Sequence, residues 1–188
     1  MQKGKTKKRS FVIARVLINI KGDLIMEIIY DKANLNDIPE LTRFRIDYLL
    51  EDIGGVKEEE REIIEERLPV YYMEHLDKDF HVFVARCSNY DSTENGRIIG
   101  CCFLLVTEKP ANPNFISGKT GTVLNVYVKS EYRRKGIARR MLEDLLEYAK
   151  KLSLDYVELK STEDGHDLYK GLGFEDEVSK YYRMKKLL

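Results

Sequence analysis

A mixed α/β (α+β) fold is predicted, with one mostly antiparallel sheet of six to seven strands flanked by about four helices. Three observations carry the prediction. Strand-like and helix-like patterns alternate: two helices follow the first strand, strands then succeed one another, and strand and helix alternate to the end. The 188 residues are 43% hydrophobic and must house twelve Tyr and seven Phe, which suits one globular domain and excludes disorder. No apolar run approaches the length of a membrane-spanning helix.

Glu27 to Ala33 reads as the first strand. Asn36 is a candidate N-cap, with Asp37 and Pro39 in the first turn of a helix whose Leu41, Phe44, Ile46, Leu49 and Leu50 recur at helical spacing up to Gly54-Gly55. A second, highly charged helix starts near Lys57. Pro69 should break or kink it, with a further turn or two towards Leu76. Phe80 to Arg86 and Arg97 to Val106 are the next strands, and Lys109 to Lys119, with two prolines and Gly118, is a loop. Thr122 to Val128 is apolar enough for a central strand. Gly136 to Lys151 is an amphipathic helix with Ile137, Met141, Leu142, Leu145, Leu146 and Ala149 in one stripe. Leu154 to Leu159 is a strand, a short helix surrounds His166 to Gly171, and Phe174 to Glu177 with Tyr181 to Met184 read as a closing hairpin.

Charge is unevenly placed. Residues 1–25 carry seven Lys or Arg against Asp23 alone, a net of +6, and residues 26–188 carry −6. Three readings of this basic head stay open: an extension upstream of a natural start at Met26, an arm for polyanions, or a signal segment, which Arg15 and the lack of a small-residue cleavage site disfavour. The expected domain is residues 26–188. Its acidity argues against nucleic acid as a partner, and no membrane is implied. Cys87, Cys101 and Cys102 fit neither a disulfide framework nor a metal site, so no metal and a reducing, cytoplasmic location are expected. Cys101 and Cys102, adjacent on a strand, should face opposite sides of the sheet.

The chemistry points to residues 122–174. There a strand ends, a loop containing Gly136 follows, and a helix begins, which puts unpaired N–H groups and the positive helix end together as a phosphate site. Arg133, Arg134, Lys135, Arg139 and Arg140 crowd this helix start, the wrong end for cations unless an anion binds. The glycine signatures of nucleoside-triphosphate and dinucleotide folds are absent.

Arg133-x-x-Gly136-x-Ala138 resembles the phosphate loop of the GNAT superfamily of N-acetyltransferases. The resemblance runs through the preceding strand and returns in Leu168-Tyr169-Lys170-Gly171-Leu172-Gly173-Phe174. It implies acetyl-CoA as cosubstrate and acetyl transfer to an amine. Val126, Tyr127 and Val128 would pair with the pantetheine arm. The amides of Arg134, Lys135, Gly136, Ile137, Ala138 and Arg139 would hold the pyrophosphate, in the loop that Arg133 opens. Thr162 would stand in for the asparagine that relatives often place before the last helix.

The implied mechanism is direct attack of a neutral amine on the thioester, with Tyr169 as general acid for the leaving thiolate. For the base, Glu158 and a water relay stay open. Asn125 could orient substrate or satisfy neighbouring backbone, and Tyr48, Glu51 and Asp52 could greet a cationic amine. His166 reads as a surface helix residue. The acceptor, a small-molecule or peptide amine, would lie against the first two helices and the Thr107 to Lys119 loop. The alternative is a non-catalytic acyl-CoA-binding regulatory module of the same fold. A homodimer paired through Tyr181 to Met184 is left open.

Overall fold

The computed structural model describes residues 14–21, 24–88, 96–182 and 184–187. Its strands are β1 (Ala14–Lys21), β2 (Leu24–Lys32), β3 (Phe80–Ser88), β4 (Ile98–Glu108), β5 (Lys119–Val128) and β6 (Val157–Glu158). Its helices are α1 (Ile38–Ile53), α2 (Glu58–His75), α3 (Ile137–Lys151) and α4 (Glu163–Lys170). The strands form one sheet in the order β1-β2-β3-β4-β5-β6, antiparallel from β1 to β5 and parallel between β5 and β6. The predicted fold class is the observed one.

The sheet separates two cores. Under α3 lie Met26, Ile28, Phe83, Ile99, Cys102, Leu104, Met141, Leu142 and Leu145. Under α1 and α2 lie Leu41, Phe44, Tyr72, Phe80, Val84, Ile98, Cys101 and Phe103. Cys101 and Cys102 thus fall in opposite cores, as strand alternation requires. Leu142 and Leu145 are fully buried, each worth roughly 2 kcal/mol of transfer free energy.

Four local departures from the sequence reading have physical reasons. The first helical segment is capped by Asn34, not Asn36: the Asn34 side chain accepts from the Asn36 N–H at 3.0 Å, and Asp37 accepts from the Asn34 N–H at 2.8 Å. A second departure is α2, which continues through Pro69; the turns beyond it are anchored by buried Tyr72 and the following Leu76.

β1 lies inside the basic head and pairs with β2 from Ala14 opposite Tyr30 to Lys21 opposite Leu24. Arg15, Val16 and Leu17 on it are all exposed, and the strand is joined to the sheet edge by backbone pairing. Residues 1–13 of the head lie outside the described residues.

No strand forms among the described residues after α4, so the closing hairpin is absent. Val178, Tyr182 and Met184 are each more than 90% exposed, and the neighbouring β6 is too short to offer them a face. That strand is cut to two residues because Ser153 takes φ 57° and the Leu154 N–H still bonds the Ala149 carbonyl at the end of α3.

Candidate active site

The site begins where two strands part. β6 meets β5 only at Gly121 opposite Val157 and Thr122 opposite Glu158. Glycine is needed at the contact, since a Cβ on Gly121 would stand 2.7 Å from Leu104 Cδ1. Beyond Thr122 no described strand pairs with that edge of β5, which leaves Val126, Tyr127 and Val128 beside a gap. Within the same stretch the β4–β5 register slips between Cys101 and Phe103, opposite Asn125, whose φ is 51°.

Asn125 is buried, at 5% exposure, and its amide is engaged at both ends. Its Nδ2 donates to Cys101 Sγ at 3.3 Å and its Oδ1 accepts from Arg45 Nη1 at 2.9 Å. Arg45, on α1, escaped the sequence reading, for its only visible signal was one more charge on a helix.

After β5 the chain makes a 3-10 turn (Ser130–Tyr132) and enters α3 through two left-handed residues, Arg134 (φ 59°) and Gly136 (φ 77°). Gly136 is the N-cap, and a Cβ there would meet nothing within 4 Å. Among the described residues, no group accepts from the N–H groups of Arg134, Lys135, Gly136, Ile137, Ala138 or Arg139; the Arg140 N–H is the first to bond, to the Gly136 carbonyl at 3.0 Å. No acid sits in the first turn of α3. Six unpartnered amides at a positive helix end, with open space before Gly136, make an anion cradle.

The surrounding cations divide. Arg133 turns inward, its Nε donating to the Val128 carbonyl and its Nη2 to Glu51 Oε2, each at 2.7 Å. This guanidinium holds the Glu51 carboxyl below the usual carboxylate range, so the acid expected to greet a cationic acceptor stays ionised and is paired with Arg133. Arg139 Nη1 bonds the Gly171 carbonyl at 3.1 Å, and Arg140 pairs with Asp144. Lys135 Nζ returns to the Glu131 carbonyl at 3.0 Å, and Arg134 is exposed beside the cradle.

On the α1 side, Tyr127 stands edge-on to both Phe44 and Tyr48. Burial, then Asp52, raises the Tyr48 hydroxyl above its ordinary value. Nearby, Leu49, Ile53, Val56, Ile63 and Ile64 line an open groove of about 380 Å³ between α1 and α2.

Tyr169, on α4, is half-buried against the core that includes Cys102 and Val126, with its ring edge-on to Phe174. Burial pushes its hydroxyl up to about 12, so it stays protonated at neutral pH. Gly165 makes room for the ring, since a Cβ there would stand 3.0 Å from Tyr169 Cε2. Thr162 is the exposed N-cap of α4 and makes no side-chain cap bond. Glu158 is exposed on β6, 3.5 Å from the Thr122 hydroxyl at the start of the gap. His166 bonds Asp176 at 2.8 Å on the outer side. Among the described residues no cluster of His, Cys, Asp and Glu could hold a metal, and no helix is long and apolar enough to cross a membrane.

Fold and site together define a GNAT-type domain: a mostly antiparallel sheet, a splayed strand edge, and a glycine-led amide cradle at the next helix. The chain belongs to the acetyltransferase (GNAT) family, whose model matches residues 48–174. No curated protein matches the sequence.

Solved structures match the fold closely. A predicted acetyltransferase with acetyl-CoA from Clostridium acetobutylicum superposes with a TM-score of 0.70 at 23% identity, covering 84% of this chain and 96% of its own. A GCN5-related N-acetyltransferase from Ralstonia eutropha gives 0.66 at 18% identity over 84% and 98%. Glucosamine-6-phosphate N-acetyltransferase from Arabidopsis thaliana gives 0.59 at 18% over 85% and 99%.

Proposed function

We propose that the protein is an N-acetyltransferase that moves the acetyl group of acetyl-CoA to a primary amine. The single observation that carries this is the junction of the open β5 edge with the six free amides before α3. One end offers strand-like pairing to an amide-bearing arm, the other a seat for a pyrophosphate. In this reading Val126, Tyr127 and Val128 pair with the pantetheine arm, and residues 134–139 hold the phosphates. Arg133 shapes the loop rather than touching the ligand.

The amine lone pair attacks the thioester carbon, the C–S bond breaks, and the acetyl group becomes an amide. The proton lost by the amine passes to water or, through water, to Glu158. Tyr169 hydrogen-bonds the departing sulfur and hands over its proton as the thiolate forms. A hydroxyl near 12 is a weak acid, but the thiolate leaves into the same desolvated pocket, which raises its own basicity. Thr162, with its hydroxyl unused by the helix cap, is available to the cosubstrate.

Calorimetric titration with acetyl-CoA, paired with a free-thiol assay over a panel of primary amines, tests the reading. Affinity on the order of micromolar, about −8 kcal/mol, with amine-dependent thiol release is the expected result. Binding without release under any amine would favour a non-catalytic acyl-CoA-binding module, and no binding at millimolar acetyl-CoA overturns the reading.

A further inference from the structure

Arg45 carries a charge that no described residue pairs with. It is half-buried on α1, bonded to Asn125 at 2.9 Å, with its guanidinium carbon 5.4 Å from the centre of the Tyr48 ring. Among the described residues it has no carboxylate within ion-pair distance, whereas Arg61, Arg86, Arg133 and Arg140 each have one. Of the acids near it, Glu51 is paired with Arg133 and Asp52 lies beside Tyr48, and neither forms an ion pair with Arg45.

A guanidinium offers five N–H donors, and Asn125 takes one. Asn125 is itself fixed by burial and by Cys101, so Arg45 is held in place rather than free to swing into water. It is anchored at the β5 bulge, one residue before the open edge at Val126. A partly desolvated guanidinium in this position gains from a counter-ion, and none of the described residues supplies one within ion-pair distance.

We infer that Arg45 is the anion-recognition residue of the acceptor site, and that the acceptor amine carries a carboxylate or phosphate which Arg45 grips through its remaining donors. The inference rests on the acetyl-transfer reading above. It replaces Glu51 by Arg45 as the charge that selects the acceptor, and so reverses the sign of the group expected on it.

The test uses matched acceptors at saturating acetyl-CoA: leucine against the amine left when its carboxylate is removed, and O-phosphoethanolamine against ethanolamine. The wild-type protein should favour the anionic member of one pair by at least about ten-fold in kcat/KM, and that pair tells carboxylate from phosphate. Arg45→Gln should bring the ratio to about one through KM. Acetyl-CoA affinity should stay within about two-fold, which shows that the variant is folded. Arg45→Lys should keep part of the preference. A ratio unchanged by Arg45→Gln, or turnover confined to uncharged amines, overturns the inference while the acetyl-transfer reading stands. Failure to bind acetyl-CoA overturns both.

Discussion

Arg133 and Glu51 stand 82 positions apart in the chain and 2.7 Å apart in space, joining the loop before α3 to the end of α1. Because the same guanidinium caps the Val128 carbonyl at 2.7 Å, one side chain fixes the last residue of β5, the loop and the helix against each other.

Arg133→Ala should therefore destabilise by roughly 1–2 kcal/mol, combining a half-exposed ion pair with a lost charge-assisted bond to a carbonyl. Glu51→Gln removes only the pair and should cost about 0.5 kcal/mol. Urea unfolding midpoints of the two variants check the order. Acetyl-CoA affinity should fall more in the first.

Tyr169→Phe keeps the ring contact with Phe174 and removes only the hydroxyl. The expected outcome is a loss of kcat of about 10²-fold or more with acetyl-CoA affinity unchanged. Since the hydroxyl sits near 12, the wild-type pH–rate profile should show no fall below pH 10 from this residue. Equal kcat in the variant would remove Tyr169 from the mechanism.

Gly136→Ala separates folding from binding. A non-glycine residue at φ 77° costs about 1 kcal/mol, and the new Cβ would meet no protein atom but project into the open mouth of the cradle. Acetyl-CoA affinity should drop at least about ten-fold with only that modest loss of stability, compared by calorimetry and thermal melting. Unchanged affinity would mean the six amides hold no phosphate.

His81 predicts an acid-sensitive fold. It is 2% exposed, its Nδ1 has no hydrogen-bond partner, and its ring stands edge-on to Tyr148. Burial lowers its basicity, Lys32 lowers it further, and Asp77 and Asp79 oppose them only in part. The folded state thus resists the proton that the unfolded chain takes up near pH 6.5. The stability it lends is complete above that pH and lost as pH falls through and below it. Between pH 7.5 and 5.5, His81→Phe should flatten the fall in unfolding free energy by up to about 1.4 kcal/mol per pH unit. An unchanged slope would assign the acid sensitivity to other groups.

What was legible in the sequence is what repeats locally. The stripe from Ile137 to Ala149 announces α3, and Gly136 ahead of it announces the cradle, because both are set within a few residues. The partition of Cys101 from Cys102 follows from strand alternation alone. Pairings across long stretches leave no local trace. The pairing of Glu51 with Arg133 left no trace because the two lie 82 residues apart. Arg45 looked ordinary because Asn125 lies 80 residues away. β1 was missed since an edge strand is held by its backbone, and the tail beyond α4 misled because its aromatic residues imitate a buried strand while standing in water.

The slip at Asn125 also changes the parity of β5. Val123 and Val128 both enter the core under α3, although five positions separate them and an unbroken strand would turn them to opposite faces. The single extra residue joins two counting frames, one ending at Leu124 and one resuming at Val126, which lets Tyr127 face α1 while Val128 stays beneath α3. Deleting Asn125 would leave Val123 and Val128 four positions apart, so both would stay beneath α3 and Tyr127 towards α1, while the amide that joins Cys101 to Arg45 would be lost. The extra residue therefore leaves the faces on either side of it in step and adds one buried amide outside the alternation, set against Cys101 and Arg45.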